Sequence, residues 1–334
     1  MKISASIYSD KKRPLKEVII DLMEHQVDLL HVDCNDDLSV FDDIITIRSM
    51  CDIPIDLHVI TEYPSKYYKL LEENPVEYIT FQYEDLKEPL AMPLSITGKK
   101  GIAVITPTDV SIFESYIDFD FILIMATIPG QSGGKFDTVN FGKIRSFRNQ
   151  YPGKSIHVDG GVNAEVSFIL RNMGVTSSVS GSYLFNASSV GNALMNLTSR
   201  EVESHYVVND FMIPLDESPV VKQSELSIES ILTSIEEGNL GFTLVTNQED
   251  KLIGLVSNAD VRKGLLRHLD DLNVVSAEEL INKKPTTIEN QDTALMLLQL
   301  IKKSTFPILY LPVVDADGNA KGIVTFVNLI KGEL

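Results

Sequence analysis

The chain has 334 residues, 44% of them apolar, enough for two globular domains and too apolar for a disordered polymer. Its formal net charge of −18 argues against a nucleic-acid partner, because a phosphate backbone would be repelled, but leaves room for small anionic substrates held by local N–H groups or a metal. No apolar run can span a bilayer, the N-terminus lacks a signal-peptide layout, and Cys34 and Cys51 are too few for a disulfide framework, so we expect a cytoplasmic protein with no membrane partner.

Residues 1 to about 200 alternate between strand and helix patterns. Ile3 to Tyr8 predicts a first strand. Pro14 to His25 predicts a helix, with Leu15, Val18, Ile19, Leu22 and Met23 on one face. A second strand follows from Asp28 to Asp33, a helix from Phe41 to Met50 and a third strand from Pro54 to Ile60. Pro64 to Leu71 reads as a helix with proline in its first turn. Strands four to six are Glu77 to Gln82, Lys100 to Ile105 and Phe119 to Ala126. A helix from Val139 to Tyr151, a strand from Ser155 to Asp159, a helix from Ala164 to Met173 and a strand from Val175 to Gly181 complete the run. Eight strands with intervening helices predict an α/β fold, a parallel (β/α)₈ TIM barrel, with a doubly wound sheet as the alternative.

From about residue 205 the pattern changes. Gly254-Leu255-Val256-Ser257-Asn258-Ala259-Asp260 recurs at a constant offset as Gly322-Ile323-Val324-Thr325-Phe326-Val327-Asn328. An apolar strand and a turn precede each copy: Phe242 to Thr246 with Glu249-Asp250, and Leu311 to Asp315 with Asp317-Gly318. This predicts a duplicated β-α-β-β-α unit that packs against its own copy, a smaller α+β domain. The polar stretch from Ser199 to Ser204 reads as the linker.

Barrel active sites form at the C-terminal ends of the strands. There the sequence offers Ser6, His31 with Asp33, His58, Met125 and Asp159. His31 and Asp33 are two apart and share a strand face, as do Asp56 and His58. A single histidine at a strand end is commonly a hydrogen-bonded core residue, and a single aspartate a helix cap. Two histidines and two aspartates at one end of one barrel instead suit a site for Zn²⁺, Fe²⁺, Mn²⁺ or Co²⁺. The stretch Ile156-His157-Val158-Asp159-Gly160-Gly161 delivers a carboxylate and then two glycines. Gly160 and Gly161, with Gly181 and Ser182 after the last strand, stand where barrels bind phosphate; plain turns are the other reading.

The N-terminal 200 residues resemble the ribulose-phosphate 3-epimerase family. The resemblance rests on Ser6-Ile7, Leu30-His31-Val32-Asp33, Asp56-Leu57-His58, Met125, Pro129-Gly130 with Gly133 and Lys135-Phe136, Val158-Asp159-Gly160-Gly161, and Gly181-Ser182. It implies that His31, Asp33, His58 and Asp159 bind a divalent metal and that Asp33 and Asp159 are the acid/base pair. Such a reaction removes a proton from the carbon beside a ketone and returns one to the opposite face, through an enediolate whose charge the metal stabilises. Ser6 would hold the reacting end of a ketose phosphate, Met125 would form an apolar wall, and the loop of Gly130, Gly133 and Gly134 would help close over the substrate.

The sequence also departs from the family. The residues after Asp33 turn quickly into a helix. Asn35 and Ile60 stand where the family places methionines, Gln82 where it often has histidine, Ile105-Thr106-Pro107 where Asn-Pro-Gly is expected, and Ile128 where an asparagine precedes the proline. The proton-transfer and ligand set is kept while the substrate wall is altered, so the expected reaction is 3-epimerisation of a ketose phosphate that need not be ribulose 5-phosphate. The C-terminal duplicate resembles a tandem CBS module. This implies an adenine nucleotide as regulator, bound by Ser257, Asp260, Thr325 and Asn328, with a dimerisation module and a helix-capping Asp260 as the alternative. The expected organisation is an epimerase-like, ribulose-phosphate-binding barrel over residues 1–200, a CBS pair over 205–334, and a homo-oligomeric assembly. A non-catalytic phosphosugar and nucleotide sensor is the competing class. Intact His31, His58 and Asp159, and no suitably placed strand-end lysine, speak against a barrel lyase or decarboxylase.

Overall fold

The structure, a computed structural model, describes residues 1–127, 133–199, 205–304 and 308–326. They fall into two compact units, one before and one after the 200–204 segment.

In the first unit, β1 (Lys2–Ser6), β2 (Leu29–Asn35), β3 (Ile55–Ile60), β4 (Tyr78–Gln82), β5 (Lys99–Ile105), β6 (Phe121–Met125), β7 (Ser155–Asp159) and β8 (Ser177–Ser180) close in sequence order into a parallel barrel. Helices α1 (Leu15–Glu24), α2 (Val40–Met50), α3 (Ser65–Glu73), α4 (Val139–Gln150), α5 (Ala164–Asn172), the short α6 (Ser182–Phe185) and α7 (Val190–Thr198) belong to this unit. The α1 helix buries Val18, Ile19 and Leu22, whereas Met23, expected on the same face, is exposed. Short 3₁₀ turns, Tyr83–Asp85 and Val110–Tyr116, stand after β4 and β5. Pro89 and Pro93 oppose a helix in the first of these connections.

Strand alternation explains how a polar site fits inside a close-packed barrel. In β2 to β4, Leu30, Val32, Leu57, Val59, Ile79 and Phe81 are buried and alternate with His31, Asp33, Asp56, His58, Thr80 and Gln82. The apolar set faces the helices and the polar set faces the barrel axis. Elsewhere the interior is apolar, with a cluster of Leu29, Tyr78, Ala103, Phe121, Leu123 and Met125.

Several strand ends differ from expectation. The first strand stops at Ser6 rather than Tyr8, because the chain turns at Ile7–Ser9 and the Ser9 hydroxyl donates to that of Ser6 at 3.1 Å. The second runs past Asp33 to Asn35, since Cys34 and Asn35 stay paired with Val59 and Ile60. The sixth and eighth are shorter at both ends than expected. The quick turn after β2 is tethered: the Asp36 carboxylate accepts from Thr61 and Tyr67 and pairs with Lys66.

The second unit contains α8 (Val208–Phe211), β9 (Ile213–Pro214), β10 (Val220–Lys222), α9 (Ile228–Gly238), β11 (Phe242–Thr246), β12 (Leu252–Ser257), α10 (Asn258–Arg267), β13 (Ile288–Glu289), α11 (Ala294–Lys303), β14 (Tyr310–Val314) and β15 (Ala320–Thr325). Two sheets form, β10-β11-β12 and β13-β14-β15-β9. The sequence repeat is a structural one. Phe242 pairs with Ser257 as Tyr310 pairs with Thr325, and the ladder shifts register at Val245/Thr246 as at Val313/Val314. The two hairpin turns bond to each other, Ala320 N–H to Asp250 O at 2.8 Å and Leu252 N–H to Gly318 O at 3.1 Å. The helix expected to end the second copy lies outside the described residues. Among the described residues, no helix is long and apolar enough to cross a membrane.

Candidate active site

His31, Asp33, His58 and Asp159 each contribute one ligand atom to a group whose atoms all lie within 4.8 Å of one another. Strand register produces this. Asp33 is level with His58 on β3, and Asp159 ends β7. His31 Nε2 lies 3.2 Å from Asp33 Oδ1 and 3.8 Å from Asp159 Oδ2, and His58 Nδ1 lies 3.5 Å from Asp33 Oδ1.

Each histidine is held from behind. His31 Nδ1–H donates to Asp56 Oδ2 at 3.0 Å, and the same oxygen accepts from the Ser4 hydroxyl at 2.9 Å. His58 Nε2–H donates to Gln82 Oε1 at 3.0 Å. These bonds occupy one nitrogen of each ring and turn the other toward the two carboxylates. A neutral ring's second nitrogen carries a lone pair, and so does a carboxylate oxygen. Nitrogen and oxygen acceptors thus converge on one point, and the buried Nδ1 of His58 has no hydrogen-bond partner among the described residues. A cation resolves that convergence, and two imidazoles with two carboxylates are a fitting donor set for a divalent transition metal. Carboxylate or amide acceptors behind ligating histidines are the usual second layer of such sites.

The electrostatics separate the two aspartates. Without a cation, burial pushes Asp33 up, but the charge and hydrogen bond of the adjacent His31 outweigh it and hold its carboxyl far below the usual range. Burial, reinforced by the charges of Asp33 and Asp56, raises Asp159 to about 6. Without a cation, the Asp33 and Asp56 carboxylates hold the His31 pKa well above the ordinary value despite its burial, so a metal would have to displace the Nε2 proton. In the metal-free centre the two carboxyl groups thus titrate far apart.

The remaining expected residues are placed as follows. Ser6 ends β1, level with His31. Met125 is level with Asp159 but belongs to the apolar interior cluster, so wall and core are the same role here. Gly160 has φ +109°, and a Cβ there would lie 2.3 Å from Thr127 Oγ1; Gly161 has φ +67°, and a Cβ would lie 2.2 Å from Phe136 N. Both glycines are therefore required by packing of the chain after β6, whatever else their N–H groups do. A Cβ on Gly181 would meet the Ser9 hydroxyl, and Ser182 opens α6. Gly133 has φ +90° with open space around it, and Gly130 lies outside the described residues. In the second unit, Ser257 and Asp260 bond each other at 2.6 Å and reciprocally cap α10. Thr325 ends β15, the rings of Phe242 and Tyr310 stack at 3.9 Å beside these strand ends, and Asn328 lies outside the described residues.

The sequence reading missed the roles of Asp56, Gln82 and Glu84. Asp56 was visible only as sharing a face with His58, and Gln82 only as a departure from the family, because their partners are set by register between strands.

The sequence model of the Ribulose-phosphate 3 epimerase family matches residues 2–185, more than half of the chain, and the CBS domain model matches residues 277–333. The chain belongs to the ribulose-phosphate 3-epimerase family. The ribulose-phosphate 3-epimerase of Methanocaldococcus jannaschii is 31% identical over 219 residues, which are 61% of this chain and 92% of that one. That of Bacillus subtilis is 26% identical, covering 56% of this chain and 94% of its own. Among solved structures, that of CBSX2 in complex with AMP shares 27% identity over 38% of this chain and 96% of that one, with a TM-score of 0.32. The chain is thus an isomerase of the epimerase type, with a CBS domain C-terminal to its barrel. Within that family its strand-four residue is Gln82, which in this epimerase bonds His58 directly.

Proposed function

We propose that the protein is a metal-dependent 3-epimerase of a ketose phosphate. The observation that carries the reading is the convergence of His31 Nε2, His58 Nδ1 and the Asp33 and Asp159 carboxylates on one point. A divalent metal held by these four residues would supply Lewis-acid stabilisation of enediolate charge. Asp33 takes the proton from the carbon beside the ketone. Asp159 returns one from the opposite face, and the roles exchange in the reverse direction. Ser6 positions the reacting end and Met125 the apolar side. The backbone of Gly160, Gly161, Gly181 and Ser182 receives the phosphate, with the chain around Gly130 and Gly133 beside it.

In this reading the domain boundary lies between residues 200 and 205, and the second domain is a CBS pair through which the enzyme assembles as a homo-oligomer. An adenine nucleotide bound near Ser257, Asp260, Thr325 and Asn328 would regulate the barrel. The duplicated hydroxyl positions at the ends of β12 and β15 support this, and binding would require the ribose to share the Ser257–Asp260 bond.

The experiment is metal analysis and turnover on the same preparation. Stoichiometric Zn²⁺, Fe²⁺, Mn²⁺ or Co²⁺ lost on His31→Ala, with 3-epimerisation of ribulose or allulose phosphates, supports the reading. Wild-type protein that holds no metal and turns over none of these sugars rejects it. Calorimetry with adenine nucleotides, and kinetics in their presence, test regulation separately; neither binding nor a kinetic change leaves the second domain structural.

A further inference from the structure

We infer that Gln82, anchored by Glu84, is a positioning residue that fixes the tautomer of His58 and so presents a bare Nδ1 to the centre. The inference rests on the metal-dependent reading above and deepens it.

Gln82 is fully buried at the end of β4. An amide can be turned either way, so its orientation must come from its neighbours. Its nitrogen faces two acceptors, Glu84 Oε2 and, at 3.4 Å, Ala103 O. Both N–H groups are thereby used, and only the amide oxygen remains for His58 Nε2 at 3.0 Å. An amide oxygen cannot donate, so Nε2 carries the hydrogen and the lone pair of the neutral ring sits on Nδ1. That atom is buried, has no hydrogen-bond partner among the described residues, and faces Asp33 Oδ1 at 3.5 Å.

Glu84 is itself fixed. Its Oε1 accepts from Ile105 N–H at 3.0 Å and from the Thr108 hydroxyl. The relay therefore runs from the end of β5 and the Thr108 hydroxyl just after it, through Glu84 and Gln82, to His58. A histidine at position 82 could donate or accept and would leave the His58 tautomer open. An amide with both N–H groups engaged permits one tautomer. His31 needs no such relay, because the Asp56 carboxylate can only accept from its Nδ1–H.

The test uses the metal-free full-length chain, with histidine tautomers read from long-range ¹H–¹⁵N NMR and Zn²⁺ affinity from chelator competition. In the wild type, His58 is expected to carry its proton on Nε2. Gln82→Leu is expected to mix the tautomers and weaken Zn²⁺ binding about 10–100-fold. Glu84→Ala, at an exposed position that should leave folding intact, is expected to move both readouts the same way by less. A wild-type His58 protonated on Nδ1, or both variants keeping the wild-type tautomer and Zn²⁺ affinity, overturns the inference while the metal reading stands. Wild-type protein with the inferred tautomer that binds no Zn²⁺ overturns the metal reading and supports the tautomer assignment.

Discussion

His157 gives the sharpest stability prediction. It lies on β7 two residues before Asp159, is 4% exposed, and stacks on Phe121 at 4.1 Å with the ring planes 21° apart. Its Nδ1 is buried with no hydrogen-bond partner. Burial lowers its pKa to about 4, against the partial opposition of the Asp56 carboxylate. In the unfolded chain a histidine titrates near ~6.5. The unfolded state therefore binds more protons between these values, and stability falls as pH falls. The stabilisation is complete above the unfolded pKa and is lost as pH drops through about 4. The fall from about 6.5 to about 4 corresponds to about 3 kcal/mol in total, of which about 2 kcal/mol is lost between about pH 7 and pH 5. His157→Phe keeps the ring stack and removes both the titration and the unpartnered nitrogen. Urea unfolding of both proteins, followed by circular dichroism across this range, isolates the residue as the difference between them at each pH. The variant should lose about 2 kcal/mol less than the wild type on acidification from about pH 7 to pH 5. Parallel pH profiles would refute the buried neutral histidine.

Three further outcomes follow from individual contacts. Asp56→Asn replaces a charged acceptor behind His31 with a neutral one and should weaken Zn²⁺ binding about 10–100-fold, measured by chelator competition; unchanged affinity would remove Asp56 from the account. Gly160→Ala places a Cβ against Thr127 at φ +109° and should destabilise the barrel by about 1–3 kcal/mol, read as a lower denaturant midpoint; an unchanged midpoint would contradict the close approach. Ser257→Ala removes the reciprocal cap of α10 and should cost about 1 kcal/mol in thermal unfolding, with no loss meaning that the cap does not hold the helix.

The barrel was legible because eight strand patterns alternate with helix patterns and polar residues gather at the strand ends, and i, i+2 spacing alone put His31 with Asp33 and Asp56 with His58 on common faces. Register between strands was not legible. It makes Asp56 the partner of His31 and Gln82 the partner of His58, so a residue read as a departure from the family turns out to touch the site. The ends of β1 and β2 were misplaced for a related reason. A hydroxyl bond between Ser9 and Ser6 ends one strand early, and pairing with Val59 and Ile60 prolongs the other. For Ser257 and Asp260 the spacing that suits a ribose also suits a capping box, and the structure shows the capping box formed.

The most direct test of the central claim is hydrogen exchange at the substrate carbon. Metal-loaded protein incubated in D₂O with ribulose 5-phosphate, and in parallel with allulose 6-phosphate, is followed by NMR at the carbon beside the ketone. We predict deuterium incorporation accompanied by the epimer, lost on metal removal and reduced about 10²–10⁴-fold in Asp159→Asn. No incorporation into either sugar by wild-type protein with its centre filled would contradict the account.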